Sequence, residues 1–444
     1  MNLPEGFITK YQQLLGDQAD AFLASFDQPV VNGFRVNPLW PDAKIDLPTD
    51  QPIDYSEWGY LGKVDGNAID HVAGYVYSQE PSAQFVGTVA APHANEWVLD
   101  LCAAPGGKTT HLASYLGDSG LLVSNEINAG RAKILASNVE RFGLTNTIVT
   151  NNDPATLAAA WPETFDRILV DAPCSGEGMF RKDPEAIRYW TPDYPATCAA
   201  RQREILTEAV KMLKPGGTLV YSTCTFSPEE DEQIIAWVKE TYGFAIEPIA
   251  KTDGMVDGHP EWANDDPELT NTARLFPHLL VGEGHFVAKL VKPGELTEDH
   301  PVVPVKATMT KPQSTDFQTF VTTSLNQSFA GQFMVRKEQL FVLPSQVPDL
   351  MHVRLVRPGI HLGMFKKNRF EPSHTLATLT VPHLFKQEFD VDDAEYQRYR
   401  HGETLVRELP GKQFVRLTKE HKGFAIGHLV NDTIKNLYPK GLRV

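Results

Sequence analysis

The chain has 444 residues and a net charge of -15, with no low-complexity tract and no internal repeat. No apolar run approaches the roughly 18 residues of a membrane span, and Met1–Gly6 lacks the basic and apolar regions of a signal peptide, so a cytoplasmic protein with no membrane partner is expected. The four cysteines, Cys102, Cys174, Cys198 and Cys224, form no Cys-x-x-Cys pair, which argues against a zinc site, a redox dithiol and a disulfide framework.

At ~100–200 residues per domain, three or four units are expected. Charge is uneven along the chain. Residues 301–444 hold 20 Lys+Arg against 13 Asp+Glu, and residues 1–300 hold 21 against 43. An acidic body with a basic tail is one way to place a polyanion footprint on a single module.

Residues 4–26 space Phe7, Tyr11, Leu14, Leu15, Phe22 and Phe26 as an amphipathic helix. Gly33–Leu39 reads as a strand, a Pro-rich connection runs to about residue 52, and residues 1–88 form a small α+β module. From Glu96 strands and helices alternate as in a parallel α/β sheet. The strands are 97–101, 121–125, 147–150, 167–171 and 218–222, and the helices 108–116, 129–142, 196–213 and 229–242. A closing strand at 284–290 ends a domain of residues 89–293. Residues 294–315 read as a linker, followed by two small units at 316–370 and 371–444, the first with short strand-like runs and the second β-rich.

Two stretches lie where α/β proteins bind ligands, just past the strand ends. Asp100–Thr109 follows the first strand and opens a helix. A phosphate-binding loop would need Gly where Cys102 stands, and Gly-x-Gly-x-x-Gly is absent. S-adenosylmethionine is the remaining reading. Cys102, Ala103, Ala104, Pro105, Gly106, Gly107 and Lys108 then form its loop, Glu126 takes the ribose hydroxyls, and Asp153 takes the adenine amino group. Asp171 belongs to the same set of acids at strand ends.

Cys174 follows the fourth strand and Cys224 the fifth. If those strands are neighbours, both thiols face one crevice. A thiolate that attacks a pyrimidine at carbon 6 makes carbon 5 nucleophilic, and a second thiol can assist loss of the carbon-5 proton. Asp171 is placed to bond the ring nitrogen and exocyclic amine of a cytosine. An amino-group methyltransferase would instead carry Asn/Asp-Pro-Pro-aromatic where this chain has Asp171-Ala172-Pro173-Cys174. A non-catalytic ribosome-assembly factor would not need Asp171, Cys174 and Cys224 intact.

At these residues the chain resembles the Nol/Nop/Sun superfamily of RNA 5-methylcytosine methyltransferases, and most closely its bacterial RsmF-type ribosomal RNA members. The likeness rests on Asp100–Thr109, Asp171–Lys182, Ser222–Thr225, Arg274–His278 and Gly284–Phe286. It continues through Phe34–Pro38, His71–Glu80, Lys366–His374 and Tyr438–Arg443. The resemblance implies an α/β fold with a class I, Rossmann-like, S-adenosylmethionine-dependent catalytic domain. It also implies an RNA-recognition-like N-terminal module, a ferredoxin-like unit and a PUA-like RNA-binding C-terminus. It implies Cys224 as the nucleophile and Cys174 as the releasing thiol. The expected partner is ribosomal RNA, or the small ribosomal subunit bearing 16S rRNA, acted on by a monomer; another RNA such as tRNA is the alternative substrate.

Overall fold

A computed structural model describes residues 1–40, 44–305, 309–367 and 369–444. Residues 41–43 of the Pro-rich connection, 306–308 of the expected linker and Asn368 of the Lys366–His374 motif lie outside the described residues.

At the centre is a ten-stranded sheet. Its strands are β1 (Trp97–Asp100), β2 (Leu121–Asn125), β3 (Thr147–Thr150), β4 (Phe165–Asp171), β5 (Leu213–Thr223), β6 (Ala245–Glu247), β7 (Met255–Asp257), β8 (Ala273–Leu275), β9 (His285–Val291) and β10 (Leu355–Arg357). The order is β7-β8-β9-β5-β4-β1-β2-β3-β10, with β6 also on β9. The pairs among β1 to β5 are parallel, whereas β9 meets β5 and β10 meets β3 antiparallel. Burial on both faces explains why these strands read as continuous apolar runs rather than alternating ones. Leu99, Val123, Ile148, Ile168 and Val170 feed one core; Val98, Leu122, Val149, Leu169 and Val220 feed the other. Each such side chain contributes about 1.5–3 kcal/mol on burial. This mixed α/β architecture is a Rossmann-like sheet with an N-terminal module before it and β-rich modules after it.

The single N-terminal helix expected over 4–26 is two, Glu5–Leu15 and Ala19–Ser25. The break falls at Gly16, whose φ of +53° a helix cannot accommodate. Phe7, Tyr11, Phe22 and Phe26 still share one face, and they pack on Phe180, Trp190, Phe226 and Phe276 of the catalytic domain. A three-stranded sheet follows, ordered Gly59–Leu61, Gly33–Val36, Val76–Ser78. From it the buried Arg35 donates to Gln79 Oε1 at 2.6 Å, Gly107 O at 2.8 Å and Thr110 Oγ1 at 2.7 Å. Asn37 donates to Gly74 O and Phe142 O. The Phe34–Pro38 motif therefore docks this module onto the catalytic domain. Helix Pro81–Ala90 spans residue 88, and Glu80 caps its N-terminus by accepting from the Ser82 and Ala83 amides.

Helix Lys311–Ser324 begins within the expected linker, its N-terminus closed by a Thr310/Gln313 capping box. It packs on a four-stranded sheet, Phe333–Arg336, Gln339–Val342, Ile360–Lys366 and Arg369–Pro372. A five-stranded sheet with helix Asp393–His401 forms the last module. β10 leaves the 316–370 region to join the catalytic sheet, where the buried Arg357 donates to Leu144 O and Thr147 O. Among the described residues no helix is long and apolar enough to cross a membrane.

Candidate active site

β4 and β5 are adjacent, and their register sets Asp171 beside Ser222. Asp171 ends β4, and Cys224 immediately follows β5. The short loops past both ends bring Cys174 Sγ to 3.4 Å from Cys224 Sγ. Both cysteines are free.

Two buried carboxylates hold these loops together. Glu230 accepts from the Ser175 amide at 2.9 Å, from the Ser175 hydroxyl and from Gln202 Nε2 at 2.8 Å; burial pushes its pKa up to about 8. Glu177 accepts from Tyr11 of the N-terminal helix, from Trp190 Nε1 at 2.9 Å, and from Thr225 Oγ1 and the Phe226 amide at 2.8 and 3.1 Å. The Gly178 amide donates to Cys224 O at 2.9 Å. A Cβ at Gly178 would come within about 3.0 Å of that same oxygen, a close approach that favours glycine there.

Asp171 is itself held. Its Oδ1 accepts from Ser222 Oγ and its Oδ2 from Lys108 Nζ, both at 2.8 Å. Lys108 also lies 3.5 Å from His285 Nε2. Burial, with the Lys108 ammonium beside it, lowers the His285 pKa to about 4. The Cys174 thiol is pushed well above the ordinary range, first by its hydrogen bond with Cys224 and then by burial.

The thiols open into a cleft of about 820 Å³. Of the residues expected at the cofactor, Cys102, Ala104, Glu126, Asp153 and Asp171 line it. Ala103, Pro105, Gly106, Gly107 and Lys108 are not among the residues that line it. Gly106 adopts φ +117°, and a side chain on Gly107 would press on Gln79 and Tyr77 at 3.3–3.4 Å. The glycines thus serve the turn and its packing against the N-terminal module.

The cleft fits S-adenosylmethionine. Glu126 is buried at the end of β2, its Oε1 fixed by the Asn128 amide at 2.8 Å and its Oε2 3.3 Å from Arg131. Arg131 also donates to Ala104 O, joining the first two loops. Asp153 caps helix Pro154–Ala160 through the Thr156 amide and hydroxyl, bonds that hold its pKa below the usual value. Asp100 accepts from Thr109 through Oδ2, while its buried Oδ1 has no partner among the described residues. Leu101, Ile127, Pro154 and Ile205 supply apolar walls. Acids at four strand ends around apolar walls suit a cationic ligand with a diol and a purine.

Glu177, Glu230, Ser222 and Arg131 were not singled out from the sequence. For Glu230 a signal existed in the run Glu229–Glu232, which reads as a solvated helix start until its burial is known. Among the described residues no His, Cys, Asp and Glu cluster could hold a metal.

Fold and cleft together define an S-adenosylmethionine-dependent methyltransferase of the class I type. Four family models match in tandem: the 16S rRNA methyltransferase RsmB/F model over residues 87–291, the N-terminal domain of 16S rRNA methyltransferase RsmF over 3–81, the RsmF first C-terminal domain over 319–379, and the RsmF PUA domain over 386–444. Ribosomal RNA small subunit methyltransferase F of Salmonella heidelberg strain SL476 is 32% identical over 99% of this chain and 96% of its own length. The protein of the same name from Salmonella newport strain SL254 matches equally well, at 32% over the same shares. The chain belongs to the RsmF family of 16S rRNA methyltransferases. Among solved structures, a methyltransferase homologue from Pyrococcus horikoshii is 28% identical with a TM-score of 0.57, covering 64% of this chain and 94% of that one. The structure of NSun6 from the same organism with SFG shares the fold at 22% identity and a TM-score of 0.54, covering 66% and 99%.

Proposed function

We propose that this chain methylates carbon 5 of a cytosine in small-subunit ribosomal RNA, through a covalent bond between Cys224 and carbon 6 of the base. The observation that carries this reading is the pair of thiols 3.4 Å apart at the ends of adjacent strands, with Asp171 beside them. An amino-group methyltransferase has no use for either thiol.

The target base leaves its stack to reach the cleft, at a cost of roughly a few kcal/mol. Asp171, steadied by Lys108 and Ser222, accepts from the exocyclic amine of the cytosine. Cys174 keeps its proton while Cys224 lies beside it, which supports Cys224 as the attacking thiolate. The new bond joins Cys224 Sγ to carbon 6, and the displaced π electrons make carbon 5 a nucleophile. Bound S-adenosylmethionine supplies the electrophilic methyl group. Cys174 Sγ, 3.4 Å from Cys224 Sγ, then assists removal of the carbon-5 proton. The carbon 5–carbon 6 double bond re-forms as the sulfur departs, and the product leaves.

The test uses RNA containing 5-azacytidine, which traps such an adduct. Wild-type protein is expected to form it, Cys224→Ala to form none, and Cys174→Ala to accumulate RNA-bound protein on ordinary RNA. No adduct with wild type overturns the mechanism, and reversed behaviour of the two variants overturns the roles. Bisulfite mapping of 16S rRNA from a strain lacking the gene identifies the nucleotide; no lost 5-methylcytosine there sinks the substrate assignment.

A further inference from the structure

Three of the segments that carried the family likeness outside the catalytic domain, His71–Glu80, Lys366–His374 and Tyr438–Arg443, meet at one place. They line a second cleft of about 620 Å³, walled also by the end of helix Ala129–Arg141 and by Arg400 of the last module. The chemistry described above uses none of it.

We propose that this second cleft is an RNA subsite that holds a single-stranded nucleotide of the substrate away from the methylated base. The inference rests on the reading that the substrate is RNA.

Buried polar atoms without partners carry it. His71 Nδ1, His361 Nε2, His374 Nδ1 and Arg400 Nε all face no hydrogen-bonding group among the described residues. All four residues line this one cleft. A buried polar atom left unpaired costs roughly 1–3 kcal/mol, so four such atoms on residues that line one cleft mark it as a place where a polar ligand would be favoured. Two of the four side chains are also held by other atoms: His361 Nδ1 lies 3.0 Å from Ser373 Oγ, and Arg400 donates to Asn67 Oδ1 at 2.9 Å. The His374 ring is set edge-on against the buried Tyr438 ring, with centroids 5.3 Å apart.

Burial brings the pKa of each of the three histidines down to about 4. Neutral imidazole offers one donor and one acceptor, which matches the mixed edge of a nucleobase better than a bare anion. Arg141 and Lys366 at the walls suit the phosphate that accompanies a base. Sequence-selective proteins take unstacked single-stranded bases in this way, by edge bonds and ring contacts. The two clefts are joined by one helix: Arg131 lines the first and Arg141 the second, about 15 Å apart along the axis.

The test is titration of the full-length protein with fluorescein-labelled fragments of small-subunit rRNA, together with cross-linking of 4-thiouridine-substituted transcripts. His361→Ala combined with His374→Ala is expected to weaken RNA binding about tenfold, with S-adenosylmethionine affinity and thermal midpoint kept near wild type. His361→Gln with His374→Asn, whose amides replace the unpaired Nε2 and Nδ1, is expected to restore binding. Cross-linked peptides should include residues 361–374 or 438–443. Unchanged RNA affinity in the double alanine variant, with cross-links elsewhere, overturns the subsite. Tighter binding of free nucleoside monophosphate than of RNA overturns it in favour of a small-molecule pocket. Cross-links at this cleft without carbon-5 methylation would leave the subsite standing and refute the reaction.

Discussion

Replacing Glu177 by Gln tests whether one buried carboxylate aligns the two thiol-bearing loops. Glu177 is fully buried and accepts four hydrogen bonds, from Tyr11, Trp190, Thr225 and Phe226. Three of these reach Oε2 and one, from Trp190, reaches Oε1. Gln supplies a single acceptor oxygen. Its best placement keeps the three donors on Oε2 and turns its NH2 toward the Trp190 N–H, leaving a buried donor unpaired at about 1–3 kcal/mol. The other three bonds lose their charge assistance, roughly halving in strength, while removal of a buried charge returns part of the cost. A net loss of about 2–4 kcal/mol follows, or roughly 5–15 °C in thermal midpoint for a domain of this size. Calorimetry and urea denaturation measure it. Tyr11→Phe should cost less in the Glu177→Gln background than in wild type, because the two share one bond. A variant that melts within about 1 °C of wild type and forms the 5-azacytidine adduct at the same rate would refute the alignment role.

Lys422 and Asp70 form a buried ion pair at 2.5 Å that joins the last module to the N-terminal one. Lys422→Met, which strands Asp70, should cost about 3–5 kcal/mol, and adding Asp70→Asn should recover most of it in the same denaturation assay. Iodoacetamide at pH 8 should leave Cys174 and Cys102 unmodified in the folded protein, because both thiols are pushed far up, Cys174 by Cys224 and then burial, Cys102 by burial. Peptide mapping that finds either alkylated at the rate of a free thiol contradicts this. Burial raises Asp100 to about 7 and Glu230 to about 8. Carboxyls with raised folded pKa values contribute stability that is complete below their unfolded values near 4 and is lost as pH climbs through 7 and 8. The thermal midpoint of the cofactor-free protein should therefore fall between pH 6 and 8.5. Asp100→Asn should flatten that slope, and parallel slopes for the two proteins would count against it.

The parallel core and the places of Asp171, Cys174 and Cys224 were legible because they follow from local signals. Short apolar runs ended by Pro, Gly or Ser identify strand ends, and strand ends carry the chemistry in this architecture. The adjacency of β4 and β5 and the 3.4 Å sulfur separation come from the sheet order, on which strand periodicity is silent. The short helix Pro154–Ala160 hid within a polar loop, and the start of Lys311–Ser324 within a Pro-rich one, where Pro at the first turn reads as a breaker although helices tolerate it there. β10 was legible as a strand-like run but not as part of the catalytic sheet, because its partner lies some 200 residues earlier. Glu177 and Glu230 escaped for a related reason. A glutamate looks solvated until tertiary structure brings its donors, and those of Glu177 span residues 11 to 226.

β10 seals the free edge of β3, and this sets an order of events at the ribosome. At about 5–20 residues per second, β3 emerges roughly 10–40 s before the strand that covers its edge, and the last strand of the catalytic domain, β9, roughly 3–13 s before it. Throughout that interval the nascent chain presents an unpaired ladder of backbone amides and carbonyls, the kind of edge that recruits strands from neighbouring chains. A ribosome stalled between the codons for residues 291 and 355 would thus hold a catalytic sheet with its β3 edge uncovered, able to pair with its neighbours on a polysome.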